Sequence, residues 1–361
     1  MSEGRTITRK RELWIDYARG LALIMVVLAH SQIPDKFFAV VSYVIVVFPF
    51  ISGYLMKDMK LKELIKKRFT LVIAYYYIGF ICYLIWVLLV PTDFRKADNL
   101  TYLKNFLLVR SDLLQQIPLS IVPLWYLIFL FFSELMYQTF KKLRILPYAI
   151  VAGIITRFFH PFSIPFKLDV AFSGLYMFWF GKIMRKKERT FAKFLPVLGL
   201  GGFIVWLLIA FFVSGTSWNV DEYGSNPFLT LIGEIGTAIF FFWIGKAMEK
   251  FSEDVELSKN VLKKIISKYL FGIPKLFSDN SIFAFGYHIL IGGFVVLITM
   301  TLGFTVTEET LRAYWYITFA LSFIAILAVM LILPKSVKLL LTQPDVFLRN
   351  LRDTEKKKWK E

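Results

Sequence analysis

Apolar residues in this chain gather in long runs, and short basic stretches separate them. A helix that spans a bilayer needs about 20 mostly apolar residues. Ten runs approach that length: roughly 13–31, 37–56, 69–90, 121–140, 145–159, 168–184, 194–214, 226–248, 281–302 and 313–333. The fifth and sixth are short and end at polar or Pro-rich boundaries. The connections are mostly brief, which implies one compact helical domain over 13–334, between a short tail at 1–12 and a basic tail at 335–361. The longest outer loop, 91–120, holds a short helix around 102–110. The segment 250–280 is Lys-rich with apolar residues at helical spacing. It reads as an amphipathic helix lying in the interface with its lysines snorkelling. No internal repeat stands out, which counts against a transporter built from two related halves.

Loop charge orients this pattern. With the N-terminus inside, 34 of the 43 Lys and Arg residues fall on the inner side, 8 on the outer, Arg157 and Lys167 among them, and Arg19 lies within a helix. Positive-inside asymmetry of this kind places both termini in the cytoplasm, and a miscounted helix would invert every later loop. The expected fold class is therefore all-α, a polytopic integral membrane protein with about ten transmembrane helices in the plasma membrane. Composition agrees: 57% of residues are hydrophobic and only 19% charged, against about 25% charged in soluble domains. The net charge of +17 invites a nucleic-acid reading. The basic clusters flank apolar runs, however, and no nucleic-acid motif is present. The single cysteine, Cys82, excludes a disulfide framework and a Cys-based metal site. The first apolar run follows a long polar lead and carries Asp16 and Arg19, so it reads as a retained helix rather than a cleaved signal.

Ionisable groups inside membrane helices are costly and are functional candidates by default. Here they are Asp16, Arg19, Glu134, Glu234 and His288, with His30 at the outer end of the first helix. Arg19 and His30 are eleven residues apart, about 20° beyond three full turns, so both lie on one face, roughly 16 Å apart along the axis. Asp16 shares that face. The plain alternative pairs Asp16 with Arg19 and leaves His30 at the headgroup level. His288 is expected near the level of Arg19, where it contacts a donor or makes a structural hydrogen bond. His160 reads as an exposed loop residue. These scattered histidines show no metal-ligand spacing, so no metal is expected.

The run RELWIDYARGLALIMVVLAH, with its Arg-x10-His feature at Arg19 and His30, resembles the opening of the membrane acyltransferase-3 family. PFISGYL at 49–55, which includes Ser52, KKRF at 66–69, PLWYL at 123–127, FWFGK at 178–182 and FAFGYHIL at 283–290 are similar to later signatures of that family. Standalone sugar O-acetyltransferases of the fucose 4-O-acetyltransferase-like type are nearest in shape. Leu71 and Ala74 stand where many relatives carry a second Arg and a Pro. The resemblance implies transfer of an acyl group, usually acetyl, from cytoplasmic acyl-CoA as donor substrate to a sugar hydroxyl, with no permanently bound cofactor. The expected partners are acyl-CoA, a sugar or polysaccharide acceptor and the lipid bilayer.

Roles follow from that chemistry. Donor phosphates need cations, which Arg19, Lys66, Lys67 and Arg68 supply on the inner side, with Tyr287 and His288 as further donor contacts. Acyl transfer to a hydroxyl needs a base near neutral pH, and His30 fits that role. A carboxylate would orient its imidazole, Glu234 being the first candidate and Glu134 the rival. Trp125 and Tyr126 are either an aromatic belt or a stacking platform for a sugar ring, with Ser52 a further substrate contact. The alternative function is a polysaccharide or glycolipid transporter or export component without acyl chemistry. The sequence leaves direct transfer and an acyl-enzyme relay both open.

Overall fold

The computed structural model describes residues 12–89, 98–110, 122–159, 164–257, 260–305 and 307–358. Among them there is no strand, only an isolated bridge between Ser217 and Glu222. Helix α1 (Leu13–Ala29) is followed by α2 (Asp35–Ser42), a 3-10 turn at Tyr43–Val46 and α3 (Val47–Leu55). These last three form one apolar span, Asp35–Leu55. The 3-10 turn lies just before Pro49, whose ring excludes the carbonyl four residues earlier from an ordinary α-helical position.

Helix α4 (Leu61–Leu89) begins eight residues before the expected run, because the Lys- and Glu-rich segment ahead of it consists of strong helix formers. Helix α5 (Asn99–Leu108) falls where the outer-loop helix was expected, capped by Asp98 through the Thr101 amide at 2.8 Å. Then come α6 (Trp125–Lys142), α7 (Leu146–Thr156), α8 (Leu168–Ser173), α9 (Leu175–Lys186), α10 (Glu188–Ala192) and α11 (Leu195–Phe212). The expected sixth helix is thus two pieces that meet at Gly174. Helix α12 (Pro227–Leu257) has Pro at its first turn and Asn226 accepting from the Phe228 and Leu229 amides, which fixes its start.

The remaining helices are α13 (Val261–Asp279), α14 (Ser281–Thr301), α15 (Glu308–Ala313), α16 (Trp315–Ile332), α17 (Lys335–Thr342) and α18 (Pro344–Lys358). Among the described residues, six spans are long and apolar enough to cross a bilayer: Asp35–Leu55, Leu61–Ile85, Leu195–Phe212, Pro227–Val255, Ser281–Thr301 and Trp315–Ile332. Helix α1 is one residue short of that length, and α6 carries Glu134, Lys141 and Lys142.

Two close approaches set the geometry of the bundle. Helix α13 does not lie free in the interface. A Cβ on Gly20 would stand 1.8 Å from the Pro274 carbonyl oxygen, so α13 and α1 meet backbone to backbone there. Ser278 adds a 3.0 Å hydrogen bond to the Asp16 carboxylate. Helices α3 and α9 are joined the same way, with Gly53 against the Phe178 carbonyl and Gly181 against the Phe50 carbonyl. Small residues are what allow membrane helices to approach this closely. The segment after 334 is helical, and Tyr287 on α14 donates to the Leu341 carbonyl of α17 at 2.8 Å.

Candidate functional site

His30 is the C-cap of α1. Its Nδ1 lies 2.8 Å from the Val26 carbonyl oxygen. A carbonyl only accepts, so Nδ1 carries the hydrogen and the neutral ring keeps its lone pair on Nε2. His288 on α14 repeats this arrangement, with Nδ1 3.0 Å from the Ala284 carbonyl and 3.1 Å from that of Phe285. Its bare Nε2 faces His30 Nδ1 at 3.3 Å, and the ring centroids are 4.9 Å apart. His30 is exposed, and His288 is buried beneath it.

The histidine pair corrects the expected level of His288. The 3.3 Å contact with His30 puts His288 at the end of α1 rather than beside Arg19.

His30 lines a cavity of about 100 Å³. One side is apolar, with Val26, Val41, Ile45 and Phe285. The other is formed by Trp125 and by the loop between α11 and α12, through Thr216, Ser217, Trp218 and Asn219. Trp125 and Trp218 both pack edge-on against Phe129, at centroid distances of 5.6 and 5.8 Å. Tyr126 does not offer a stacking face. Its ring is enclosed by Phe48, Phe129 and Phe285. Its hydroxyl is buried without a hydrogen-bond partner among the described residues, within electrostatic reach of Arg19. Ser52, on α3, stands outside the wall of this cavity.

Neither candidate carboxylate orients His30. Glu234 is fully buried and bound by Arg157, with Nη1 2.6 Å from Oε2 and Nη2 2.7 Å from Oε1. Oε1 also accepts from the Trp218 indole at 2.7 Å, and Oε2 from the Tyr176 hydroxyl. Two carboxylate oxygens offer about four acceptor directions, and these four donors fill them. Glu134 on α6 is held by Arg68 on α4 through two bonds of 2.6 Å. Arg68 remains 32% exposed, and Lys66 and Lys67 beside it are exposed. The Tyr287 hydroxyl, expected at the donor, is occupied by Leu341. Asp16 accepts from Ser278.

Arg157, Trp218 and Asn219 are functional candidates that the sequence reading passed over. Arg157 falls among the outer-side cations at the end of the fifth run, yet its side chain is 1% exposed and its guanidinium lies 4.0 Å from the centroid of the Tyr223 ring. The signal was present: Arg157 closes an apolar run, and a membrane-depth cation needs an anion. Lys167, another of the outer-side cations, is buried and donates to the Asn219 carbonyl at 2.5 Å. Nearby, burial pushes the Asp221 carboxyl up to about 7, the Asp169 carboxyl beside it adds to the rise, and Lys167 opposes it. His160 lies outside the described residues.

Apolar helices around a cavity that holds a base with a bare nitrogen define a helical membrane protein with a largely apolar pocket beside the end of α1. The chain belongs to the acyltransferase-3 family: the family's Acyltransferase domain matches residues 12–334. No curated protein and no solved structure matches the chain. Membership implies acyl transfer in general terms and leaves donor, acceptor and base to be argued from the site.

Proposed function

We propose that this protein is a plasma-membrane O-acyltransferase. It moves an acyl group, acetyl in the first instance, from cytoplasmic acyl-CoA to a hydroxyl of a cell-envelope or secreted-polysaccharide sugar, with His30 as general base. The observation that carries this reading is the tautomer of His30: its Nδ1 hydrogen goes to Val26, so Nε2 is left as a base, and the residue lines a cavity. The acceptor O–H gives its proton to Nε2 as the oxygen attacks the thioester carbonyl carbon. The C–S bond then breaks, and the departing thiolate takes the proton back. While the ring holds the extra proton, its Nδ1–H becomes a stronger donor toward Val26 and the bare Nε2 of His288. The pair of acceptors thus performs the service that a carboxylate performs in a Ser-His-Asp triad.

The donor reading rests on the opposite end of α1. Ten passes with cytoplasmic termini, as the loop charges suggest, put Arg19, Lys66, Lys67 and Arg68 on the donor's side. Phosphates bind there, and the arm of CoA runs past the Tyr126 hydroxyl toward His30. In this reading Tyr126 serves the amides of the donor arm instead of a sugar ring.

The test is the His30→Ala protein, purified and shown to elute as the wild type does. Radiolabelled acetyl transfer and CoA thiol release are measured. A loss of at least about 10²-fold is expected. Wild-type rates in that variant would remove His30 from the mechanism, and absence of CoA release from the wild type would remove acyl transfer.

A further inference from the structure

The Arg157–Glu234 pair has no place in the proton transfer, yet four donors converge on its carboxylate, one of them the indole of the cavity-lining Trp218. A buried ion pair is often no more stabilising than apolar residues of the same volume. Its cost is therefore better explained by what it holds. Glu234 Oε1 fixes the Trp218 indole at 2.7 Å. The Arg157 guanidinium seats the Tyr223 ring at 4.0 Å. These two points lie at either end of a six-residue stretch, and Asn219 between them is pinned through its carbonyl by Lys167. Thr216, just ahead, is tied down by its own hydroxyl, which donates to the Glu222 carbonyl at 3.1 Å, and by its amide, which donates to Ser42. A loop of hydroxyl and amide side chains is thus held rigid against the His30 cavity.

We propose that this loop, from Thr216 to Tyr223, is the recognition wall for a neutral pyranose acceptor, with Arg157 and Glu234 as its positioning residues. The proposal rests on the acyl-transfer reading and assigns the acceptor side of that site. A pyranose has hydroxyls around its edge and C–H faces above and below. Thr216, Ser217 and Asn219 match the edge. Trp125 and Trp218, both packed edge-on against Phe129, add apolar ring surface to the same wall, against which C–H groups next to that edge can rest. The cavity of about 100 Å³ is smaller than the 150 Å³ apolar cavity known to take up benzene. It therefore admits the reacting hydroxyl edge and the acyl group, while the rest of the sugar stays outside. Rigidity matters because a hydroxyl misplaced by about 1 Å loses on the order of 10²-fold in rate.

The experiment titrates methyl glycosides of glucose, galactose, mannose, fucose and N-acetylglucosamine, at millimolar concentration, into the full-length detergent-purified protein. Tryptophan fluorescence, acetyl transfer and CoA release are followed. At least one glycoside is expected to give a saturable change and to accept acetyl. Trp218→Phe and Asn219→Ala raise its KM about tenfold or more, while the acetyl-CoA KM stays within about twofold of wild type. The double variant Arg157→Met/Glu234→Leu removes both charges together, so no lone buried charge is left to unfold it. It is expected to elute normally and to show the same acceptor defect. Unchanged acceptor KM in Trp218→Phe and Asn219→Ala would overturn the proposal. So would a wild type that releases CoA through His30 and neither binds nor acetylates any glycoside. If a glycoside binds through Trp218 but no CoA is ever released, the sugar wall stands and the acyl-transfer reading falls.

Discussion

Two Arg–Glu pairs of the same bidentate ionic design tie helices together in this molecule, and they differ in what surrounds them. Arg157–Glu234 is closed: both side chains are at most 1% exposed, and Tyr176 and Trp218 complete the carboxylate. Arg68–Glu134 is open on its cationic side, with Arg68 32% exposed and two exposed lysines ahead of it. The closed pair can only hold neighbours in place. The open pair can keep Glu134 satisfied while the guanidinium turns its remaining N–H groups to an incoming anion. Identical chemistry thus yields a scaffold in one pair and a candidate phosphate site in the other, and burial alone separates them.

That contrast can be broken most sharply at Glu234. Glu234→Ala leaves the Arg157 charge buried and unpaired, at a cost of about 3–5 kcal/mol. The expected result is loss of monodisperse protein on size-exclusion chromatography. Arg68→Lys should fold, because Arg68 reaches solvent. A lysine cannot form a fork, so the KM for acetyl-CoA is expected to rise about tenfold with kcat little changed. Glu134→Gln is the gentler test of the same pair. It releases Arg68 from its partner at a cost of about 1 kcal/mol or less, read as a small shift in the thermal midpoint. A shift as large as that of Glu234→Ala would abolish the distinction between the two pairs.

The smallest effect expected is pH-dependent and lies near the closed pair. Asp221 titrates at about 7, above its ordinary 3.8, because it is buried and faces the Asp169 carboxyl, with Lys167 opposing. A carboxyl raised in the folded state contributes stability that is full below the ordinary value and is lost as pH rises through the folded one. Protease sensitivity of the segment around Trp218 should therefore increase as pH rises from the ordinary value of 3.8 to about 7, and level off above it. Asp221→Asn should flatten the change. A flat wild-type profile would show that this carboxyl does not govern the loop.

Much of the helical pattern was legible because apolar run length is a local property. The expected runs at 13–31, 281–302 and 313–333 fall within two residues of α1, α14 and α16. Errors came where helices continue into charged sequence, as α4 and α12 do, since apolarity ends before helix propensity does. The site was only half legible. Arg19 and His30 on α1 could be placed from one helix, but the contact of His30 with His288 depends on how α14 packs against α1. Counting residues within α14 could not supply that packing. Glu234 reads from sequence as a buried charge without an evident partner, because Arg157, at the outer end of another apolar run, meets it only through the packing of α7 against the rest of the bundle.

The backbone contact between α3 and α9, made at Gly53 and Gly181, bears on motion. Helices that touch main chain to main chain have no side chains between them to rearrange, so they shift as a single body. Widening of the pocket for a substrate then falls to elements that meet through side chains. Helices α1 and α14 do so at the two histidines. Their 3.3 Å contact is a natural gauge of opening, and a cross-link or spectroscopic label across it would register each cycle of substrate admission.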